Sequence, residues 1–250
     1  MPEYLQWGLL FFAGLAGGWV NVLAGGGSLF TVPVLVFLGL PGPVANGTNR
    51  IAVIAQNITA VLEFFRKGYS DFKLSLSLSV AASIGAYFGS SIGVRLDGEL
   101  FDRIVALIIV GVVIFMIMGE GKAKPVNHDN QNPKNLALGH LLMIGAGFWG
   151  GFIQIGVGFL LMPILYRVMG LDLVRVNMHK VFIALIFSCV ALFVFASSVE
   201  IAWKAGIALA FGNAMGGWLG ANMAVEKGAG LIKPVMYGAA IVMAFGLIFF

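Results

Sequence analysis

The stretch AGGGSLFTVPVLVFLGLPGPVANGTNR, residues 24–50, decides how this chain is read. Gly25-Gly26-Gly27 separate two apolar runs, 5–23 and 28–39. Each glycine costs a helix about 1 kcal/mol relative to Ala, so the triplet unwinds unless packing holds it. The second run would be about 17 Å long as a helix, too short for a hydrocarbon core of about 30 Å that needs roughly 20 apolar residues. A counterpart stands later in the chain, where Gln154-Ile155-Gly156-Val157-Gly158 precedes the short run 159–169. Backbone that leaves a helix inside lipid must be satisfied by protein or by a wet cavity. The expected motif is therefore helix, break, short helix, used twice.

Working outward, the 250 residues are 60% apolar and 10% charged, with 15 Lys+Arg against 11 Asp+Glu and a mean hydropathy of +0.97. Soluble domains carry about 25% charged residues. The composition excludes a cytosolic enzyme, a disordered chain and a nucleic-acid binder. The isoelectric point near 9.3 forms no basic face, because the cations are scattered between apolar runs. Cys189 stands alone in an apolar run, which rules out an intrachain disulfide. The amino terminus has Glu3 and no cation before its apolar stretch. It reads as a first membrane helix rather than a cleaved signal.

Breaks at Gly, Pro and charge clusters give ten apolar stretches: 5–23, 28–39, 44–64, 74–94 and 100–118, then 137–154, 159–169, 177–196, 203–223 and 231–250. The polar linker 119–135 divides the chain into halves, 1–118 and 136–250. The halves read as a duplication. Pro33 and Pro163 are 130 apart, and Asn46/Asn177, Gly85/Gly216, Gly89/Gly220 and Leu100/Leu231 are each 131 apart. That period is too long for a solenoid and fits the two-half layout of secondary transporters.

Orientation follows from the distribution of Lys and Arg. If the first two stretches of each half go in and return, Arg50, Arg95, Arg103 and Lys204 face one side and the other eleven cations face the opposite side. A single broken crossing would divide them almost evenly. The expectation is an all-α polytopic membrane protein of two inverted-topology repeats. Each repeat has a discontinuous, re-entrant hairpin plus three spanning helices, with both termini outside and the linker cytoplasmic.

Ser28, a good N-cap residue, would start the short helix after the first break, its amides and positive dipole end offered to an anion. Gly25, Gly26, Gly27, Ser28, Gly156 and Gly158 form the expected tips, with Asn21 and Gln154 just before or within the breaks. A second reading, glycines that only let helices pack closely, stands beside this one. Polar residues inside membrane stretches are costly and mark sites. The third stretch contributes Asn46, Thr48, Asn49, Arg50, Gln56 and Asn57, and the eighth contributes Asn177, His179 and Lys180. Gln56 and Asn57 fall about 18–20 Å below a start at Val44, the depth of the tips. Arg50 is either a snorkelling interface anchor or a substrate contact. His179 and Lys180, in the first turn of their stretch, belong either to a cytoplasmic rim or to the site. Glu63 is expected to pair locally with Arg66 and Lys67. The runs Ser77, Ala81, Gly85, Gly89, Gly93 and Ala208, Gly212, Gly216, Gly220, Ala224 are small-residue faces for helix packing. No catalytic motif, metal site or cofactor motif is present in the sequence.

The quoted stretch 24–50, the later GFWGGFIQIGVGFLLMPILYRVMGLD (147–172) and the two-half layout resemble the sulfite exporter TauE/SafE family over essentially the whole chain. The resemblance implies a small transporter of inverted halves that moves sulfite or short sulfonates out of bacterial cells across the cytoplasmic membrane. It implies substrate contacts at Gly25, Gly26, Gly27, Ser28, Asn46, Thr48, Asn49 and their second-half mates. The family's small run after each short stretch is kept as Ala45-Asn46-Gly47-Thr48-Asn49 but becomes Val176-Asn177-Met178-His179-Lys180 in the second half. The expected partners are a small anion and membrane lipid, with no nucleic acid and with a homodimer left open. The alternative function is a passive anion channel.

Overall fold

A computed structural model describes residues 2–96 and 133–232, together with 103, 234, 235 and 238. The expected stretches 100–118 and 231–250 and the linker 119–135 lie wholly or largely outside these residues. Every regular element among the described residues is a helix. The first half contains α1 (Glu3–Ala24), α2 (Ser28–Phe37), α3 (Gly42–Arg66) and α4 (Phe72–Gly93). The second contains α5 (Leu136–Phe152), α6 (Val157–Pro163, continued by a π-helical turn Ile164–Val168), α7 (Leu173–Ala196) and α8 (Trp203–Lys227). Three of them, α1, α4 and α7, are long and apolar enough to cross a membrane. The described residues are thus all-helical, with helices of membrane-spanning length and apolarity. Helices α3 and α8 are as long, at 25 residues each, but carry more polar groups.

The breaks fall where the glycines stand. Gly25 ends α1 in the left-handed region at φ 87°, its amide donating to Val20 and Asn21 carbonyls, a conformation glycine adopts without a Cβ penalty. The second break uses Gln154 at φ 64° and Gly156 at φ 71°. After each break the chain doubles back. Thr31 lies beside Gly17 and Gly27 beside Asn21, while Val157 lies beside Gly150 and Met169 beside Gly139.

Two expected details are corrected. Ser28 is the first helical residue of α2 and Gly27 is its N-cap, because the Ser28 hydroxyl is engaged by Asn49 instead of by its own helix's amides. Helix α7 begins at Leu173, before the expected 177, because the Asp172 carboxylate accepts from the Val174 and Arg175 amides at 3.0 and 3.1 Å. That cap adds a turn and carries His179 and Lys180 away from the helix end.

The small-residue faces do what their spacing predicts. A Cβ on Gly85, Gly89 or Gly93 would overlap the backbone of Ile144, Phe148 or Phe152, and one on Gly212 or Gly216 would overlap that of Phe11 or Leu15. Without those side chains α4 lies backbone-close to α5, and α8 to α1, gaining packing contacts that lipid cannot supply. The order of these contacts fixes direction. Phe11, Leu15 and Trp19 meet Gly212, Gly216 and Gly220 in sequence, so α1 and α8 run the same way. Thr48 and Ile51 meet Gly206 while Gln56 and Thr59 meet Gly217, so α3 joins them. Similarly α4 runs with α5, and with α7 through Ser75–His179 and Gly93–Phe195. Helices α3 and α7 are opposed: Gly47 meets Phe195, whereas Val61 and Phe65 line a water-sized cavity of about 10 Å³ with Met178 and Phe182. Two apolar clusters fill the space around the breaks, one including Leu78, Met143 and Phe187, the other Leu35, Ile153 and Leu209.

Candidate functional site

The two breaks touch. A Cβ added to Gly25 would run into the Gly158 backbone, and one added to Gly158 would run into Gly25. Residues Val22–Ser28 and Ile153–Phe159 are all buried. Glycine at both positions is therefore a condition of contact as well as of chain reversal.

Asn21 and Gln56 tie the first tip to the middle of α3. The Gly27 amide donates to Asn21 Oδ1 (3.3 Å), Asn21 Nδ2 donates to Gln56 Oε1 (3.1 Å), and Gln56 Nε2 donates to Asn57 Oδ1 (3.1 Å). Each amide in this series accepts at one end and donates at the other, which polarises the next. The series ends at Asn57 Nδ2, a buried donor with no protein acceptor. Asn49 fastens the start of α2: it donates to Ser28 Oγ at 3.2 Å and accepts from Thr31 Oγ1 at 2.6 Å.

Arg50 is 0% exposed and Lys180 is 3% exposed. The Arg50 guanidinium donates to the carbonyls of Gly150 (3.0 Å) and Gly151 and to Gln154 Oε1 (3.0 Å), and it stacks over Phe195 with 4.7 Å to the ring centroid. Lys180 Nζ donates to the Val22 carbonyl at 2.6 Å and to Asn177 Oδ1 at 2.7 Å. Burial removes the snorkelling reading of Arg50 and the rim reading of Lys180. It removes the rim reading of His179 as well, which is buried with Nδ1 2.8 Å from Ser75 Oγ.

The remaining expected residues act mainly as struts. Asn46 Nδ2 donates to the Phe152 carbonyl at 2.9 Å. Thr48 Oγ1 accepts from the Ala202 amide at 3.1 Å, just before α8 begins. Replacing Thr48 with Val keeps the shape and orphans that amide, so we expect a loss of about 1 kcal/mol in thermal unfolding. A rise of more than about twofold in half-saturating substrate concentration would add a substrate contact to this strut role. Glu63 accepts from Trp218 Nε1 (3.1 Å) and lies 3.6 Å from Arg66, as expected, whereas Lys67 turns to Glu226 at 3.2 Å.

The structure adds residues that the sequence reading passed over. Thr31 is buried against Asn49, and Asn213 is buried against Gly17 and Gly18 with its Oδ1 unpartnered. Arg50 lies next to Asn49, the residue that the 131-residue offset pairs with Lys180, so the two cations occupy neighbouring rather than equivalent positions of the two halves. Unpartnered buried polar atoms occur at repeat-matched positions: Asn46 with Asn177, and Asn57 with Ser188. Buried polar atoms in folded proteins are nearly always paired, so this set stands apart from the rest of the interior. Among the described residues no three His, Cys, Asp or Glu side chains gather to hold a metal.

Comparison with known proteins finds relatives over nearly the whole chain. The model of the family described as "Sulfite exporter TauE/SafE" matches residues 10–247. The Probable membrane transporter protein ORF9 of a Sinorhizobium species is 24% identical over 239 residues, covering 96% of this chain and 91% of the relative. A probable membrane transporter protein of Haemophilus influenzae is 25% identical, with 91% and 89% covered. The Probable membrane transporter protein YfcA of Escherichia coli is 22% identical, with 100% and 92% covered. No solved structure matches the chain. With nearly the whole length matched, the chain belongs to the sulfite exporter TauE/SafE family of membrane transporters.

Proposed function

We propose that the protein is a secondary transporter, not an enzyme, that exports a small sulfur-containing oxyanion, sulfite or a short sulfonate, across the bacterial cytoplasmic membrane by alternating access. The observation that carries this reading is the pair of buried cations beside the touching breaks. Neither Arg50 nor Lys180 meets a carboxylate among the described residues; both rest on carbonyls and neutral amides. An uncompensated buried charge is expensive, and an anion with several acceptor oxygens relieves that cost while taking up unpartnered donors such as Asn57 Nδ2 and Asn177 Nδ2. The full candidate set is Asn21, Gly25, Gly26, Gly27, Ser28, Asn46, Thr48, Asn49, Arg50, Gln56, Asn57, Gln154, Gly156, Gly158, Asn177, His179 and Lys180.

The halves act as inverted repeats. Helices α1 and α3 run opposite to their counterparts α5 and α7, and α1 packs on α8 as α4 packs on α5; both features are those of two units related by a two-fold axis in the membrane plane. By the cation distribution both termini lie outside and the linker lies in the cytoplasm. Contact of Gly25 with Gly158 closes the path between the breaks, which favours a carrier that rocks over a passive anion channel.

A Gly26→Leu variant tests the reading. A side chain there meets the Phe159 ring and Leu29, groups that shift more readily than backbone, so the variant should reach the membrane. Sulfite or sulfonate efflux from cells should fall by about tenfold or more if tip spacing has to hold the anion, given what small misplacements cost. Unimpaired efflux at normal expression would remove the tips from the mechanism. Counterflow in liposomes completes the test: unlabelled substrate on the far side accelerates a carrier and leaves a channel unchanged.

A further inference from the structure

Arg50 and Lys180 are engaged crosswise. Arg50, on α3 of the first half, holds the carbonyls of Gly150 and Gly151 at the end of α5 in the second half. Lys180, on α7 of the second half, holds the carbonyl of Val22 at the end of α1 in the first half. Both targets are C-terminal carbonyls of a broken helix, the negative end of its dipole, where a cation is stabilised. The two contacts stand at different depths beside the touching tips. Arg50 reaches the level of Phe195, in the last turn of α7, while Lys180 springs from the first half of that helix.

We propose that Arg50 and Lys180 form a reciprocal latch, in which each half lends one buried cation to the broken helix of the other, and that the carrier opens to one side by releasing one latch while the other stays closed. The proposal rests on the transporter reading and adds its gating groups. With both latches closed the tips are occluded, as the touching Gly25 and Gly158 are. Release of the Arg50 latch frees the end of α5 and exposes the site from the side where α3 begins. Release of the Lys180 latch frees the end of α1 and exposes it from the side where α7 begins. On the orientation above, Arg50 keeps the outer gate and Lys180 the cytoplasmic one. The anion supplies what the latch gives up: an unlatched cation needs a counter-charge, and the substrate is the one that travels.

Hydrogen exchange and sided transport test this in full-length protein reconstituted in liposomes. In Arg50→Met, amide protection should fall about tenfold or more across 150–156 and stay unchanged across 20–28. In Lys180→Met the pattern should reverse, since loss of a charge-assisted hydrogen bond lowers the local opening free energy. Arg50→Lys and Lys180→Arg should give the same crosswise pattern at smaller amplitude, which keeps the test alive if a neutral variant fails to fold. Half-saturating sulfite, measured separately from the two faces, should move in opposite directions in the two variants, as a biased two-state equilibrium demands; a merely structural role moves both faces alike. Loosening in the mutated half itself, or none, would overturn the latch. A crosswise exchange pattern without any sulfite transport by the unmodified protein would keep the latch and discard the substrate.

Discussion

Gly25→Ala should destroy transport and cost about 2–5 kcal/mol of stability, the largest effect expected of any one-carbon change in this chain. Two independent terms add. The residue sits at φ 87°, where a non-glycine residue pays about 1–2 kcal/mol. Its new methyl also overlaps the Gly158 backbone, and overpacking of this kind costs about 1–3 kcal/mol because a backbone cannot rotate aside as a side chain does. Gly39→Ala is the control: its φ of 93° is equally left-handed, yet nothing lies within 4 Å of the added carbon. It should show the backbone cost alone and keep transport. Gly158→Ala should reproduce the transport defect from the other tip, because the same two backbones are forced apart. Thermal unfolding in detergent and efflux from liposomes read both terms. A Gly25→Ala protein that unfolds and transports like the Gly39→Ala control would show that the tip contact has no energetic weight.

The second large effect belongs to Asn49→Leu. The wild-type amide is bonded at both ends, to Ser28 Oγ through its nitrogen and to Thr31 Oγ1 through its oxygen. Leucine fills a similar space and leaves two buried hydroxyls without their partner, each worth about 1–3 kcal/mol. Both hydroxyls are on α2, so the loss should appear as earlier, local opening of residues 28–37 in hydrogen exchange, ahead of global unfolding. Thr31→Val removes one of the two bonds and should cost about half as much. Equal stability of Asn49→Leu and wild type would mean that α2 is held by its apolar side chains alone.

Much of this was legible before any coordinates. Triple glycine, the short runs after each break, the 130–131 offset and the small-residue faces each state a physical constraint in residue type and spacing. Where the reading fell short, the missing information was a partner distant in sequence. Ser28 has the chemistry of an N-cap, but Asn49 occupies its hydroxyl. Lys180 stood between rim and site until Asp172 lengthened α7 and Val22 took its ammonium. Arg50 stood at a depth from which it could snorkel, and the carbonyls of Gly150 and Gly151 decided otherwise.

The sequence alone determined that this protein lives in a membrane and that two of its helices, α1 and α5, cannot continue past their breaks. Those properties are local: apolar content and glycine entropy. Only the tertiary structure decided what the buried polar groups do, and that they work across the halves. A cation inside lipid must find an acceptor, and which carbonyl it finds depends on how two distant helices pack.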